Sequence, residues 1–201
     1  GNRADASRLQ ARIEPTRLDF AHFVKFLAPQ IPLCFMGDEA NLETPFPYFI
    51  DLPEADAAPK RQDRYVQMRE NFNQKVEDGA LPDPNAPETW ASAKLAWEEL
   101  AWPERQAALE RFRTLARYRR ETVWPLAASG YVGARSVRHG TCIIVTWTFK
   151  AGALSMALNP TECVQDCPCI VTAAPVSTGD FSQQGEVLRL GRWSAVAWVT
   201  T

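Results

Sequence analysis

The feature that most constrains this chain is the stretch 27–51, LAPQIPLCFMGDEANLETPFPYFID. Residues 31–36 form a short apolar run, apolar on both alternating faces, that stops at Gly37. A strand covered on both sides of a parallel sheet has this appearance. Pro32 fits near the start of such a strand, where a missing N–H costs least. Asp38 and Glu39 follow Gly37 at once, and Phe46, Tyr48 and Phe49 crowd the loop beyond. Binding and catalytic groups of βα-barrels gather at this end of the strands. The two carboxylates therefore read as site residues or, equally, as caps of a loop.

The chain around this stretch divides in two. Glu14-Pro15-Thr16 starts a helix with apolar positions Leu18, Phe23, Phe26 and Leu27, and Pro29 ends it. That helix and the run after it make an αβ unit. Residues 51–59 read as a connection and 60–76 as an amphipathic helix stopped by Gly79. Residues 81–89 carry three prolines and read as a loop. Trp102-Pro103-Glu104 opens a helix striped by Leu109, Phe112, Leu115 and Ala116. Arg117, Arg119 and Arg120 read as its solvated basic end, and Trp124-Pro125 closes the helical part.

After Gly130 the period becomes two. Ile143, Val145, Trp147 and Phe149, then Leu154, Met156 and Leu158, predict a hairpin with one face buried. Further strands are expected at 170–174, 186–190 and 195–200. The fold class is α+β: a helical C-terminal remnant of a (β/α)8 barrel over 1–128, then a small antiparallel β-sandwich domain over 129–201. With its own apolar face, the β part is expected to fold independently.

Composition narrows the function. Of 201 residues, 46% are hydrophobic, enough for a core, and the net charge of −2 gives no case for nucleic acid. No apolar run approaches the ~20 residues of a membrane span, so no membrane partner is expected. The five cysteines, Cys34, Cys142, Cys163, Cys167 and Cys169, are an odd number without a framework spacing. Reduced thiols and a cytoplasmic location are the reading. Cys163, Cys167 and Cys169 lack the paired spacing of a zinc site, so no metal or other cofactor is expected.

Several stretches carry a resemblance. LAPQIPLCFMGDE with PFPYFIDL, Gly1-Asn2-Arg3-Ala4 with Arg8-Leu9, Pro82-Asp83-Pro84 through Ser92-Ala93-Lys94-Leu95-Ala96-Trp97, and Gly191-Arg192-Trp193-Ser194-Ala195-Val196-Ala197-Trp198 occur in that order. Together they resemble α-amylase-type glycoside hydrolases (family 13), most of all the maltooligosyltrehalose trehalohydrolases. Where that family usually reads MGEE and an aromatic, this chain has Asp38-Glu39-Ala40. Near 67–69 only Arg69 answers to its basic run.

The resemblance implies an enzyme that releases trehalose by cutting an α-1,4 bond of maltooligosyltrehalose. It also implies that the catalytic carboxylates lie upstream of Gly1, so that no catalytic residue is expected here. Asn2, Arg3, Asp38, Glu39, Phe46 and Tyr48 are then walls of a cleft for a maltooligosaccharide or trehalose-capped glucan. The other partner implied is the N-terminal part of the barrel, with self-association of the chain as its substitute. Two alternatives stand. One is a carbohydrate-binding or structural module using Trp147, Trp193 or Trp198; the other is part of a glucan branching or debranching enzyme.

Overall fold

The computed structural model describes residues 3–73, 75–77 and 81–201. Two compact units interleave along the chain: the described residues up to 13 with 35–108, and 14–34 with 109–201.

The second unit is built on helix α1, Pro15–Leu27, in which Leu18, Phe23, Phe26 and Leu27 are buried. These are the apolar positions expected from the sequence. Helix α2 is Glu54–Val66 and α3 is Pro87–Ala91 in the first unit; α4 is Pro103–Tyr118 and α5 is Trp124–Ala128. A π-turn, Arg119–Val123, joins α4 to α5 without a break. The helical run therefore passes through Trp124-Pro125, contrary to the expected closure there. The π-turn already widens the ladder where Pro125 would remove a bond. Gly130, at φ 110, turns the chain into strands.

Eight strands follow: β1 Tyr131–His139, β2 Cys142–Phe149, β3 Gly152–Asn159, β4 Gln165–Pro168, β5 Val176–Thr178, β6 Phe181–Gln184, β7 Val187–Leu190 and β8 Ser194–Thr200. They form one antiparallel sheet in the order β1-β2-β3-β8-β5 and another in the order β4-β7-β6. Both faces of the larger sheet are covered along β3 and β8. Leu154, Met156, Ala195 and Ala197 pack with Phe23, Phe26, Leu27, Val123 and Leu126 of the helices. Cys142, Ala157, Val196 and Trp198 pack with Cys167, Leu188 and Leu190 of the smaller sheet. The hairpin expected to bury one face thus buries both along β3.

The strand expected at 170–174 does not form. Pro168 and Pro175 bracket it, and a side chain takes the bonds a neighbour would make: Gln183 accepts from Val171 N–H (3.3 Å) and donates to Cys169 O (3.0 Å). The three tryptophans that a carbohydrate-binding module would use are packed against neighbours, Trp147 in the core as its strand position suggests. Trp198 is 5% exposed, and Trp147 lies against the helical core. Trp193 meets Phe20 edge-on at 5.6 Å and donates to Glu162 at 2.8 Å.

Residues 31–36 are not a strand. Ile31 is 95% and Leu33 87% exposed. A strand exists through its ladder, and among the described residues none lies beside this run. Its entrance is nonetheless held. The Arg119 guanidinium donates to the carbonyls of Phe26 and Ala28 (2.7 Å each), Pro29 (3.5 Å) and Gln30 (2.7 Å). This arginine was expected to be solvated; it caps the end of α1.

In the first unit, α2 begins six residues before the expected start at 60, because the Ala-rich run with Glu54 and Asp56 in its first turn favours helix. Pro59 sits inside at the loss of one ladder bond. A π-turn, Gln67–Asn71, ends the helix short of Val76; Gly79 lies outside the described residues. Helix α3 begins at Pro87, within the expected loop. All five cysteines are free. Among the described residues no helix is long and apolar enough to cross a membrane, and no three metal-ligating side chains come together.

Candidate functional site

The loop after residue 35 is tied by hydrogen bonds from several side chains of the first unit. Gly37 has φ 86, a left-handed value. A Cβ there would meet Leu42 and Leu95 side chains at 3.2 Å, so glycine suits both the backbone and the space. A 3-10 turn, Asp38–Ala40, follows, with Ala40 buried. Asp38 accepts the Phe35 N–H at 3.1 Å, and Leu42 N–H returns to Gly37 O at 2.9 Å. Ala40, Leu42 and Leu95 make a small core beneath.

Long side chains take the carbonyls that no ladder serves. Arg8 donates to Met36 O (2.6 Å) and to Thr44 O, Gln10 to Leu42 O (2.6 Å), and Arg105 to Asn41 O. Charge-assisted bonds of this kind are the stronger ones. The turn that carries Asp38 and Glu39, both half-buried, is thereby fixed from several directions.

Arg8 sits at the centre. It is only 7% exposed, and its guanidinium lies 5.2 Å from the Phe35 ring centroid. Burial pulls its pKa down, while Asp38 and Glu39 push it up; an arginine keeps its charge through such shifts. Its Nη2 is buried without a hydrogen-bond partner. Phe35, Phe46 and Phe49 form an edge-to-face series at 4.7 and 5.7 Å, and Phe46 N–H donates to Ala6 O at 3.0 Å.

The structure therefore brings together Asp38, Glu39 and Phe46 of the expected set, around Arg8. Tyr48 goes elsewhere: its ring lies 5.3 Å from the Arg64 guanidinium, in the wall of a cavity of about 320 Å³ with Asp63 and Gln67. Arg3 pairs with Asp5 at 3.3 Å. Asn2 lies outside the described residues. Arg8, Gln10 and Arg105 were missed as site-builders. Arg8 stood in a matched segment; nothing in the sequence pattern marked the other two.

The carboxylates accept hydroxyl hydrogens, and the exposed edges of Phe35 and Phe49 offer apolar surface. Among the described residues, hydrogen bonds hold the carboxyls of Asp5, Glu54, Asp83 and Glu162 below their ordinary values.

No family model matches the chain. It is 30% identical over 121 residues to the malto-oligosyltrehalose trehalohydrolase of Brevibacterium helvolum, covering 60% of this chain and 20% of that protein. It is 31% identical over 122 residues to that of Rhizobium sp. (strain M-11), covering 61% and 20%. The chain thus spans about a fifth of the length of the curated relatives it matches. Among solved structures, a putative alpha amylase from Salmonella typhimurium superposes with TM-score 0.82 at 27% identity, over 100% of this chain and 33% of that one. The trehalulose synthase MutB from Pseudomonas mesoacidophila MX-45 shares the fold at TM-score 0.56 and 15% identity, over 94% and 40%.

Proposed function

We propose that this chain, which corresponds to the C-terminal part of a glycoside hydrolase of the α-amylase type, supplies one wall of a glucan cleft and none of the catalytic carboxylates. The whole enzyme would hydrolyse the α-1,4 bond that releases trehalose from maltooligosyltrehalose. In this reading residues 1–128 belong to the end of a (β/α)8 barrel, and 129–201 form a C-terminal β-sandwich domain. Its ligand is the trehalose-capped glucan, its structural partner the preceding part of the barrel, and its location the cytoplasm, where free thiols persist.

The observation that carries the reading is the loop over 36–44. Its carbonyls are held by Arg8, Gln10 and Arg105, so Asp38 and Glu39 are oriented before any ligand arrives. Preorganised acceptors of this kind lower the cost of binding sugar hydroxyls. Asn2, Arg3 and Tyr48 complete the proposed set, with Tyr48 beside Arg64 and apart from the Arg8 cluster.

The test is a chimera in which this chain replaces the matching part of the Brevibacterium helvolum enzyme. Asp38→Ala with Glu39→Ala should lower kcat/KM for trehalose release by about 10–100-fold with unchanged melting, as lost polar contacts to a substrate do. An unchanged kcat/KM in a folded double variant would remove these residues from the cleft.

A further inference from the structure

On the five-stranded sheet, the face turned toward the smaller sheet is organised in rows that cross the strands in register. Val137, Ile144, Ala157 and Val196 form an apolar row, and its last three members join the core between the sheets. The next row is Arg135, Thr146, Ser155 and Trp198, and the next Gly133, Thr148, Ala153 and Thr200. Residues two apart on a strand share a face, so the three rows lie side by side. The third row carries only small side chains.

Small residues beside a taller row leave a trough. A cavity of about 580 Å³ opens here, with Thr146, Thr148 and Ser155 in its lining and the segment from Pro168 to Thr172 along one side. That volume lies within the usual range for small-molecule sites. The Thr146 and Ser155 hydroxyls are 3.1 Å apart. Arg135 and His139 also line the cavity, and no carboxylate is among its described lining residues. Among the described residues no hydrogen bond or ion pair engages the Arg135 guanidinium.

An arginine fork with hydroxyl donors and no competing acid fits a phosphate oxygen cluster. The remaining hydroxyls fit a polyhydroxylated body, since each can both donate and accept. A neutral glucan fits less well. It calls for an open aromatic face, and Trp198 is 5% exposed. We propose that this trough binds a hexose monophosphate, with the phosphate on Arg135, Thr146 and Thr148 and the sugar over Ser155 and Thr200. This site is separate in sequence and chemistry from the loop at Asp38 and Glu39, and does not depend on the glucan-cleft reading.

Calorimetric titration of the whole chain tests it, with glucose 6-phosphate, inorganic phosphate, glucose and maltotriose as separate probes. Glucose 6-phosphate should bind with Kd below about 1 mM at low salt, inorganic phosphate about tenfold more weakly, and the neutral sugars not measurably. Arg135→Gln should weaken glucose 6-phosphate at least about tenfold, the scale of a lost charged hydrogen bond. Arg138→Gln, on the opposite face of β1, should leave it unchanged, and both variants should melt as the parent does. Thr148→Val provides a second, uncharged substitution and should also weaken binding. The proposal fails if glucose 6-phosphate does not bind, or if Arg135→Gln and Thr148→Val bind it as well as the parent. Equal binding of inorganic phosphate removes the sugar half, and equal binding of glucose or maltotriose removes the phosphate half.

Discussion

Arg8 and Arg119 aim their guanidinium groups at backbone carbonyls outside any ladder. Arg119 serves the Phe26 carbonyl in the last turn of α1 and those of Ala28, Pro29 and Gln30 beyond it. Removing it strands partly buried acceptors, so Arg119→Ala should cost about 2–3 kcal/mol in urea unfolding; a loss under about 0.5 kcal/mol would contradict the capping role. Gly37→Ala forces a Cβ into a left-handed backbone and against Leu42 and Leu95. It should cost about 1–3 kcal/mol, measured the same way. Glu162 shows the pH side. Hydrogen bonds from Trp193 and Arg17 hold its pKa below the ordinary value of 4.5. Its contribution to stability is therefore present above that value and is lost as pH falls through the lowered one. Glu162→Gln should flatten the acid limb of the melting-temperature profile below the ordinary carboxyl value of 4.5. An unaltered limb would show that the carboxylate contributes nothing there. Arg119 also shows where sequence reading stops. Its place near a helix end was visible and suggested solvation, but the carbonyls that reach it come from a segment about ninety residues earlier, across a separation no local pattern records.

At the level of elements, helices with strong local signals were legible. Pro15 and the buried face of α1 follow directly from proline's place in a first turn and from helical spacing. The first half of α2 was hidden by Pro59, which reads as a breaker although the alanines around it keep the helix. Strand β1 was hidden for another reason: most of its residues are exposed, so it shows no alternation. Residues 31–36 carry the opposite mismatch, a strand's composition without a partner. Ile31 and Leu33 are exposed, and Ile31 lines a groove of about 950 Å³ with Phe26, Phe112 and Trp124, edged by Arg113, Arg117, Arg119 and Arg120. Apolar side chains left in water forfeit roughly 1.5–3 kcal/mol each. The chain should therefore self-associate at micromolar concentration, and Ile31→Ser with Leu33→Ser should shift it toward monomer. Light scattering after size-exclusion chromatography reads both; a parent that stays monomeric would contradict the argument.

For the whole molecule, the larger sheet draws one of its two cores from the helices. Leu154, Met156, Ala195 and Ala197 lie against Phe23, Phe26, Val123 and Leu126. The strands alone, from residue 130 onward, would bare that face, so this segment should lose the cooperative melt that the full chain shows. That outcome departs from the independent folding suggested by the strand pattern, because alternation reveals that a face is apolar but not what covers it. In the function proposed above, the chain contributes to a glucan cleft without performing the hydrolysis. The direct measurement is trehalose release from maltotriosyl-trehalose by the isolated chain, beside the full-length Brevibacterium helvolum enzyme. The account predicts no release above the blank. Turnover within about a hundredfold of that enzyme, a gap of only ~3 kcal/mol in barrier, would contradict it.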